Sequence, residues 1–311
     1  MKEKIGKVTL DYQYYAGKDL YSDGDIEDEL LEAVKQLEEK KLNRLIAEKQ
    51  SWTYLYHFSP IRQNIVGWLP MSGQEEVLEI GSGCGAITGM LAKKAKTVTC
   101  IELSGKRSKI NAYRNKNCEN VTVLVGNFET IEEHLEKKYD LITLIGVFEY
   151  GQSYIHSEQP YEEFLKRIKK HLKPNGKLVI AIENKFGMKY WAGCREDHFG
   201  NFFEGIEGYP NGQGVRTFSK PELEKMLRTA EFTAWEFYYP YPDYKFPMKI
   251  FSDDYLPAEG ELQENMQNFD RSRMYLFDET RAFDNVTKSG LFPLFSNSYL
   301  IVAGIGEGEQ V

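Results

Sequence analysis

Apolar and polar positions follow three different rhythms along this chain. Residues 1–22 hold tyrosines and a weak alternation ("KVTLDYQYY") that predicts no definite element. From Asp25 to about Lys49, Ile26, Leu30, Val34 and Leu37 recur at spacings of three and four with charges between them, the pattern of an amphipathic helix. A second helical stretch, "SWTYLYHFSPIRQNIVGWL", follows and is interrupted at Pro60. Residues 1–70 therefore read as an N-terminal helical cap, because an apolar stripe needs a surface to pack against.

From residue 76 the rhythm changes. Short apolar runs ("EVLEI", "TVTCI", "VTVLV", "YDLITLIG", "KLVIAI") alternate with helical stretches near 86–94, 104–117, 129–137 and 160–172. Strands apolar on both faces that alternate with helices predict a parallel sheet covered on both sides. "SKPEL" (219–223) starts another helix with a capping box of Ser219 and Glu222. "FTAWEFYY" (232–239) and "NSYLIVAG" (297–304) add two strands. The expected fold for residues 71–311 is a doubly wound, seven-stranded, mostly parallel α/β sheet. Two long insertions, 184–218 and 240–296, interrupt it and are expected to act as lids, since loops of that length are usually functional.

The 311 residues carry a net charge of -8, a poor start for binding a polyanion. Neither a nucleic-acid partner nor membrane insertion is expected. The longest apolar runs are only strand-length, and no apolar leader opens the chain. The four cysteines form no C-x-x-C pair and have no histidines at zinc spacing, so no metal site is expected, and reduced thiols point to a cytoplasmic protein.

The chemistry concentrates in "VLEIGSGCGAITGML" (77–91), where three glycines follow a strand and precede a helix. Gly81-x-Gly83-x-x-Ala86 fits a dinucleotide fingerprint, and Glu102 ends the second strand where a ribose-binding acid belongs. A nicotinamide or flavin dinucleotide therefore competes with S-adenosylmethionine. Glu79, two residues before the first glycine, would repel a pyrophosphate and attract an ammonium or sulfonium. The G-x-G-x-G spacing and a last strand placed to run antiparallel beside the fifth resemble those of methyltransferases, which implies S-adenosylmethionine.

With "LEIGSGCG" (78–85), "CIELS" (100–104), "VGNFET" (125–130), "YDLITLIGVFEY" (139–150) and "LKPNGKLVIAIEN" (172–184), the chain resembles the class I S-adenosylmethionine-dependent methyltransferases over about residues 76–304. The resemblance implies a Rossmann-like methyltransferase fold with S-adenosyl-L-methionine as cofactor. Glu79, Gly81, Ser82, Gly83 and Gly85 would hold the methionine part, Glu102 and Leu103 the ribose, and Asn127 and Phe128 the adenine, with Gly146 lining the site. Asn127 departs from the usual Asp, but its amide can still accept from the adenine amine.

The acceptor is harder to read. "GVFEY" (146–150) lacks the Asp/Asn-Pro-Pro-Tyr tetrad of enzymes that methylate exocyclic base nitrogens, and no cysteine stands in a Pro-Cys context. The stretch "ENKFGMKYWAGCREDHFGNFFEGIEGY" (183–209) mixes aromatics and acids as a small-molecule or carbohydrate lid would. "YHFSPIR", "IENKFG" and "EDH…GIEGY" resemble segments of bacterial methyltransferases associated with glycosyltransferases and surface-polysaccharide synthesis. That implies O-methylation of a sugar or other small-molecule acceptor and an association with glycosyltransferase machinery. In-line SN2 transfer to oxygen needs alignment and a base, so His198, with Asp197 beside it, is the first candidate, then His156 and Glu149. His57 would help close the cap, and His134 and His171 read as solvated helix residues. A protein or lipid methyltransferase, a non-catalytic S-adenosylmethionine-binding subunit and a dinucleotide-dependent oxidoreductase remain as alternatives.

Overall fold

The computed structural model of the chain describes residues 1–19, 22–212, 214–265 and 271–306. Residues 20 and 21 of the expected cap, residue 213 of the first insertion, residues 266–270 of the second and the last five residues lie outside the described residues. The chain forms two compact units, residues 1–144 with 170–176, and residues 145–169 with 177 onward.

In the first unit, β1 (Lys2–Ile5) and β2 (Val8–Tyr14) form an antiparallel hairpin. Helices α1 (Ile26–Gln36), α2 (Glu39–Lys49), α3 (Trp52–Phe58) and α4 (Asn64–Gly67) follow, with a 3-10 turn at Pro60–Gln63. Then come β3 (Glu76–Ile80), α5 (Thr88–Lys94), β4 (Thr97–Glu102), α6 (Gly105–Arg114), β5 (Val121–Gly126), α7 (Phe128–Glu132) and β6 (Tyr139–Ile145). The strand order is β1-β2-β5-β4-β3-β6, and every pairing from β2 to β6 is parallel. With helices linking successive parallel strands and a glycine loop after β3, this is a Rossmann-like arrangement.

Two expectations about the N-terminal region change. Residues 2–14 are strands: Val8 and Leu10 are fully buried, and β2 pairs in parallel with β5. The expected helix over 25–49 is two helices, because Leu37 turns to extended backbone and ends α1. The break lets Leu30 and Val34 of α1, Leu42 of α2, and Tyr54 and Phe58 of α3 share one cluster with Cys84 of the glycine loop and Ile110 of α6. Each such side chain contributes roughly 1.5–3 kcal/mol by leaving water. Beside the cluster, Arg107 bridges Glu27 (2.7 Å) and Asp23 (2.8 Å), and His57 Nε2 meets Asp23 at 2.9 Å. His171, expected to be solvated, is buried and bonded to Glu132 at 2.8 Å, whereas His134 is exposed as expected.

The second unit holds a 3-10 turn at Phe148–Tyr150, α8 (Gly151–Tyr154), α9 (Pro160–Lys170) and most of β7 (Leu172–Glu183). It continues with α10 (Met188–Trp191), α11 (Lys220–Thr229), β8 (Ala234–Tyr241), β9 (Lys249–Ser252), α12 (Glu279–Lys288), α13 (Phe292–Phe295) and β10 (Ser298–Gly304). The order is β7-β10-β8-β9, antiparallel throughout. β10 thus lies antiparallel beside β7, as the sequence suggests, and the capping box closes on α11 with the Ser219 amide donating to Glu222 at 2.8 Å. Ten strands form among the described residues where seven were expected. All seven expected strands are present, and β1, β2 and β9 are additional, so the parallel character belongs to the first unit. Much of the 184–218 stretch is packed into the second unit. Met188, Lys189, Tyr190, Cys194, Glu196 and Glu204 are buried; Lys189 pairs with Asp197 and Asp243, Glu196 accepts from the His198 and Phe199 amides, and Glu204 accepts from Asn201 and Asn211.

Candidate functional site

The glycine loop of the first unit is shaped by backbone demands. Gly81, Gly83 and Gly85 all have positive φ (72°, 52° and 75°), a region that favours glycine. A Cβ on Gly85 would also lie 2.5 Å from Asn111 Oδ1. Gly81 and Gly83 remain partly exposed, so their backbone can approach a ligand. Glu102, at the end of β4, accepts from the Gly83 amide at 2.7 Å and the Ser104 amide at 2.9 Å. Burial raises its carboxyl pKa, opposed by those amides and by Arg107.

Glu79, near the end of β3, is engaged within the fold. Its Oε2 accepts from Thr88 Oγ1 (2.7 Å) and Cys100 Sγ (3.4 Å), so it ties β3 to the first residue of α5. Burial, with a smaller push from Glu102, moves it up to about 7. A pyrophosphate would need the N-terminus of α5, and the Glu79 carboxyl stands there. Asp19 similarly covers the start of α6, accepting from the Gly105 amide at 2.6 Å and Ser104 Oγ at 3.0 Å. The site is set against anionic phosphate groups.

The other predicted positions divide. Ser82 Oγ is buried and has no hydrogen-bond partner, so it offers a donor to a ligand. Leu103 is partly exposed beside Glu102. Asn127 caps α7, accepting from the Glu129 amide at 3.1 Å. Phe128 is 1% exposed and packs in the core. Gly146, in the second unit, has φ +70° and donates to Ala181 O at 2.9 Å; a Cβ there would lie 2.7 Å from Tyr244 Oη. Its glycine answers that close approach.

Sequence reasoning missed Arg62. It is buried over the Tyr56 ring at 3.8 Å, yet its Nε and Nη1 have no hydrogen-bond partner. An unpaired buried guanidinium is costly and suits a carboxylate. An arginine in the aromatic run "YHFSPIR" was the available signal. Glycine loop, ribose-type acid, orphaned Ser82 hydroxyl and unpaired guanidinium together fit S-adenosylmethionine, which carries hydroxyls and a carboxylate but no phosphate.

In the second unit, one ligand atom from each of Glu149, Glu183 and His198 lies within 4.8 Å of the other two. Glu183 ends β7 and is fully buried, with its Oε1 against Lys245 Nζ. His198 Nδ1 lies 3.3 Å from Tyr150 Oη, and its Nε2 is 3.9 Å from Glu183 Oε2. Glu149 Oε2, Glu183 Oε2 and His198 Nε2 are buried without hydrogen-bond partners. Burial, then Glu183, pushes the Glu149 carboxyl well above its usual range.

Asp197 does not orient His198. It takes Lys189 at 2.9 Å, Lys245 at 3.0 Å and Tyr190 Oη. Burial alone would raise its pKa, but the two lysines hold it well below the usual carboxylate range. Lys189 also meets Asp243 at 2.8 Å. Of the three catalytic candidates, His198 and Glu149 come together, and His156 is exposed after α8. Glu183 closes the "KLVIAIE" run, where the sequence alone assigns it no role. Lys245 lies in the second insertion, where no periodicity marks it.

Residues 78–178 match the family model described as "Methyltransferase domain". The chain is 23% identical over 190 residues to a ubiquinone biosynthesis O-methyltransferase of Rickettsia conorii, covering 61% of this chain and 60% of the relative. It is 29% identical over 135 residues to ribosomal RNA small subunit methyltransferase A of Syntrophus aciditrophicus, covering 42% and 45%. The chain thus spans about half the length of the curated relatives it matches. Solved structures that resemble it include an S-adenosylmethionine-dependent methyltransferase of Clostridium acetobutylicum (TM-score 0.44, 13% identity, 90% of this chain and 96% of that one). Another is the magnesium protoporphyrin IX methyltransferase of Synechocystis with bound S-adenosylhomocysteine (TM-score 0.42, 14% identity, 59% and 78%). These comparisons lend no support to an association with glycosyltransferases. Residues 78–178 thus match a methyltransferase domain, and the cofactor is S-adenosylmethionine.

Proposed function

We propose that the chain is an S-adenosylmethionine-dependent methyltransferase that acts on an oxygen of a small hydroxylated acceptor, a sugar hydroxyl among them. The glycine loop with Glu102 fixed by the Gly83 and Ser104 amides carries this reading. The cofactor supplies a methyl on a positively charged sulfur, a good leaving group for in-line displacement. Glu102 keeps lone pairs for the ribose hydroxyls, because each of its oxygens accepts one of these two amides and can accept again. Arg62 can grip the α-carboxylate with its two unpaired nitrogens, and Ser82 Oγ adds a donor. Asn127 and Leu103 remain candidates for the adenine and ribose side.

In the second unit, Glu183 Oε2 and His198 Nε2 are buried proton-accepting atoms without a hydrogen-bond partner. The relatives divide between a quinone-pathway O-methyltransferase and a ribosomal RNA methyltransferase. The net charge of -8 favours the small acceptor, since RNA affinity rests on neutralising phosphates. The test is release of S-adenosylhomocysteine across a panel of sugars, nucleotide sugars, phenols and a ribosomal RNA fragment. On the acceptor found, His198→Ala is expected to cut turnover by about 10²–10⁴ with cofactor affinity unchanged. Turnover within a few-fold of wild type would remove His198, and activity on RNA alone would overturn the small-acceptor reading.

A further inference from the structure

We infer that Glu149, Glu183 and His198 form a binding site for a divalent transition-metal ion such as Mn²⁺ or Zn²⁺. The inference stands on the geometry of the second unit and does not depend on methyl transfer. Three observations converge. One ligand atom from each residue lies within 4.8 Å of the others, and His198 Nε2 lies 3.9 Å from Glu183 Oε2. Two donors bound to one ion at about 2.1 Å cannot be more than about 4.2 Å apart; the His198–Glu183 pair meets that limit, and the widest separation in the group would have to close by up to about 0.6 Å.

The second observation is what the donor atoms lack. Glu149 Oε2, Glu183 Oε2 and His198 Nε2 are each buried without a hydrogen-bond partner. Glu149 and Glu183 are at most 1% exposed, so water does not satisfy them. The opposite atoms are held as supporting contacts usually hold metal ligands. Tyr150 Oη is 3.3 Å from His198 Nδ1, and Lys245 Nζ is on Glu183 Oε1.

The third is charge. Among the described residues, Glu149, Glu183, Asp197 and Asp243 gather around two ammonium groups, Lys189 and Lys245. Lys245 is shared between Asp197 and Glu183, and Lys189 between Asp197 and Asp243, which leaves Glu149, among the described residues, short of positive charge. A divalent ion supplies it. A mixed carboxylate and imidazole set suits Mn²⁺, Fe²⁺, Co²⁺ or Zn²⁺ better than an all-oxygen Ca²⁺ site. Three protein donors leave at least one position for water or an acceptor oxygen. With an ion bound, His198 Nε2 would be a ligand rather than a base, and the ion would supply Lewis acidity that lowers the pKa of a bound water or hydroxyl.

The test uses the tag-free full chain without cofactor or acceptor. Titration with Mn²⁺, followed by electron paramagnetic resonance, should show one bound ion per chain, displaced by Zn²⁺, and Mn²⁺ should raise the melting temperature. Glu149→Gln and His198→Ala should each weaken binding at least tenfold, and Glu259→Gln, at an exposed ion pair, should not. Absence of a stoichiometric ion, or equal affinity in all variants, would overturn the site. So would a Glu149→Gln chain that melts higher than a wild type unaffected by Mn²⁺, because the two carboxyls would then share a proton. Since no methyl donor is present, the result is separate from the transferase reading. A chelator that removes the ion and leaves turnover intact would keep the transferase and detach the metal from it.

Discussion

Glu102 joins loop and cofactor in one side chain. Replacing it with alanine removes the acceptor of two backbone amides as well as the proposed ribose contacts. Glu102→Ala is expected to weaken S-adenosylhomocysteine binding by roughly 1.5–3 kcal/mol, the range for bonds to a charged group. Calorimetry on a folded variant with wild-type affinity would remove Glu102 from the ribose. Arg62 can be tested by dissecting the ligand. Arg62→Met should cost S-adenosylhomocysteine at least about tenfold in affinity and leave 5′-methylthioadenosine, which lacks the carboxylate, unaffected. Equal losses for both ligands would place Arg62 away from the carboxylate. Glu79 predicts a pH dependence. Its folded pKa, about 7, lies above the unfolded value of 4.5, so the folded chain holds the extra proton. Stability attributable to Glu79 is fully present below pH 4.5 and is lost as pH rises through 7. Between those two values each pH step of one costs about 1.4 kcal/mol. Glu79→Gln keeps an acceptor for Thr88 and should match wild type near pH 4.5 but melt higher at pH 8. A gap between the two that does not change with pH would contradict the raised carboxyl.

Among the elements, the N-terminal helices are tied to the cofactor loop by packing. Leu30 of α1 and Cys84 of the loop belong to one buried cluster, and Arg107 of α6 bridges back to Glu27. Leu30→Ala is expected to cost about 2–5 kcal/mol, as a buried leucine with a poorly collapsible cavity does. The cavity adjoins the loop, so cofactor affinity should fall as well. Leu227→Ala, in α11 of the second unit, should cost similar stability without that loss. Chemical denaturation beside calorimetry reads both quantities, and equal cofactor affinity in the two variants would show that the helices do not support the loop. The hairpin β1–β2 has a second use. Without it the long edge of β5 would be open for pairing with another chain.

At the scale of the whole molecule, the acidic balance is partly internal. Carboxylates of the second unit are buried on lysines from the two insertions, Lys189 and Lys245, rather than displayed to solvent. The insertions therefore supply both sides of an ionic interior. Breaking such a pair by removing one partner leaves an uncompensated buried charge, which costs far more than the pair contributes. This ties the 184–218 stretch to the 240–296 stretch more firmly than its sparse secondary structure implies.

The sequence by itself determined the elements whose signal is local. Alternating apolar runs marked β3 to β8 and β10, glycine spacing marked the loop, and Ser219 with Glu222 marked the start of α11. Glu79 and Glu102 were legible because each stands at a fixed distance from that loop. Only the tertiary structure decided what depends on partners far apart in sequence. β2 is a strand because β5 offers it a parallel edge some 110 residues away, whereas its own alternation is weak. Asp197 left its neighbour His198 for Lys189 and Lys245, because a buried carboxylate goes to the nearest ammonium and chain proximity carries no such energy. Arg62, and the meeting of Glu183 with Glu149 and His198, stayed hidden for the same reason: an orphaned polar atom exists only once the surrounding chain has excluded water from it.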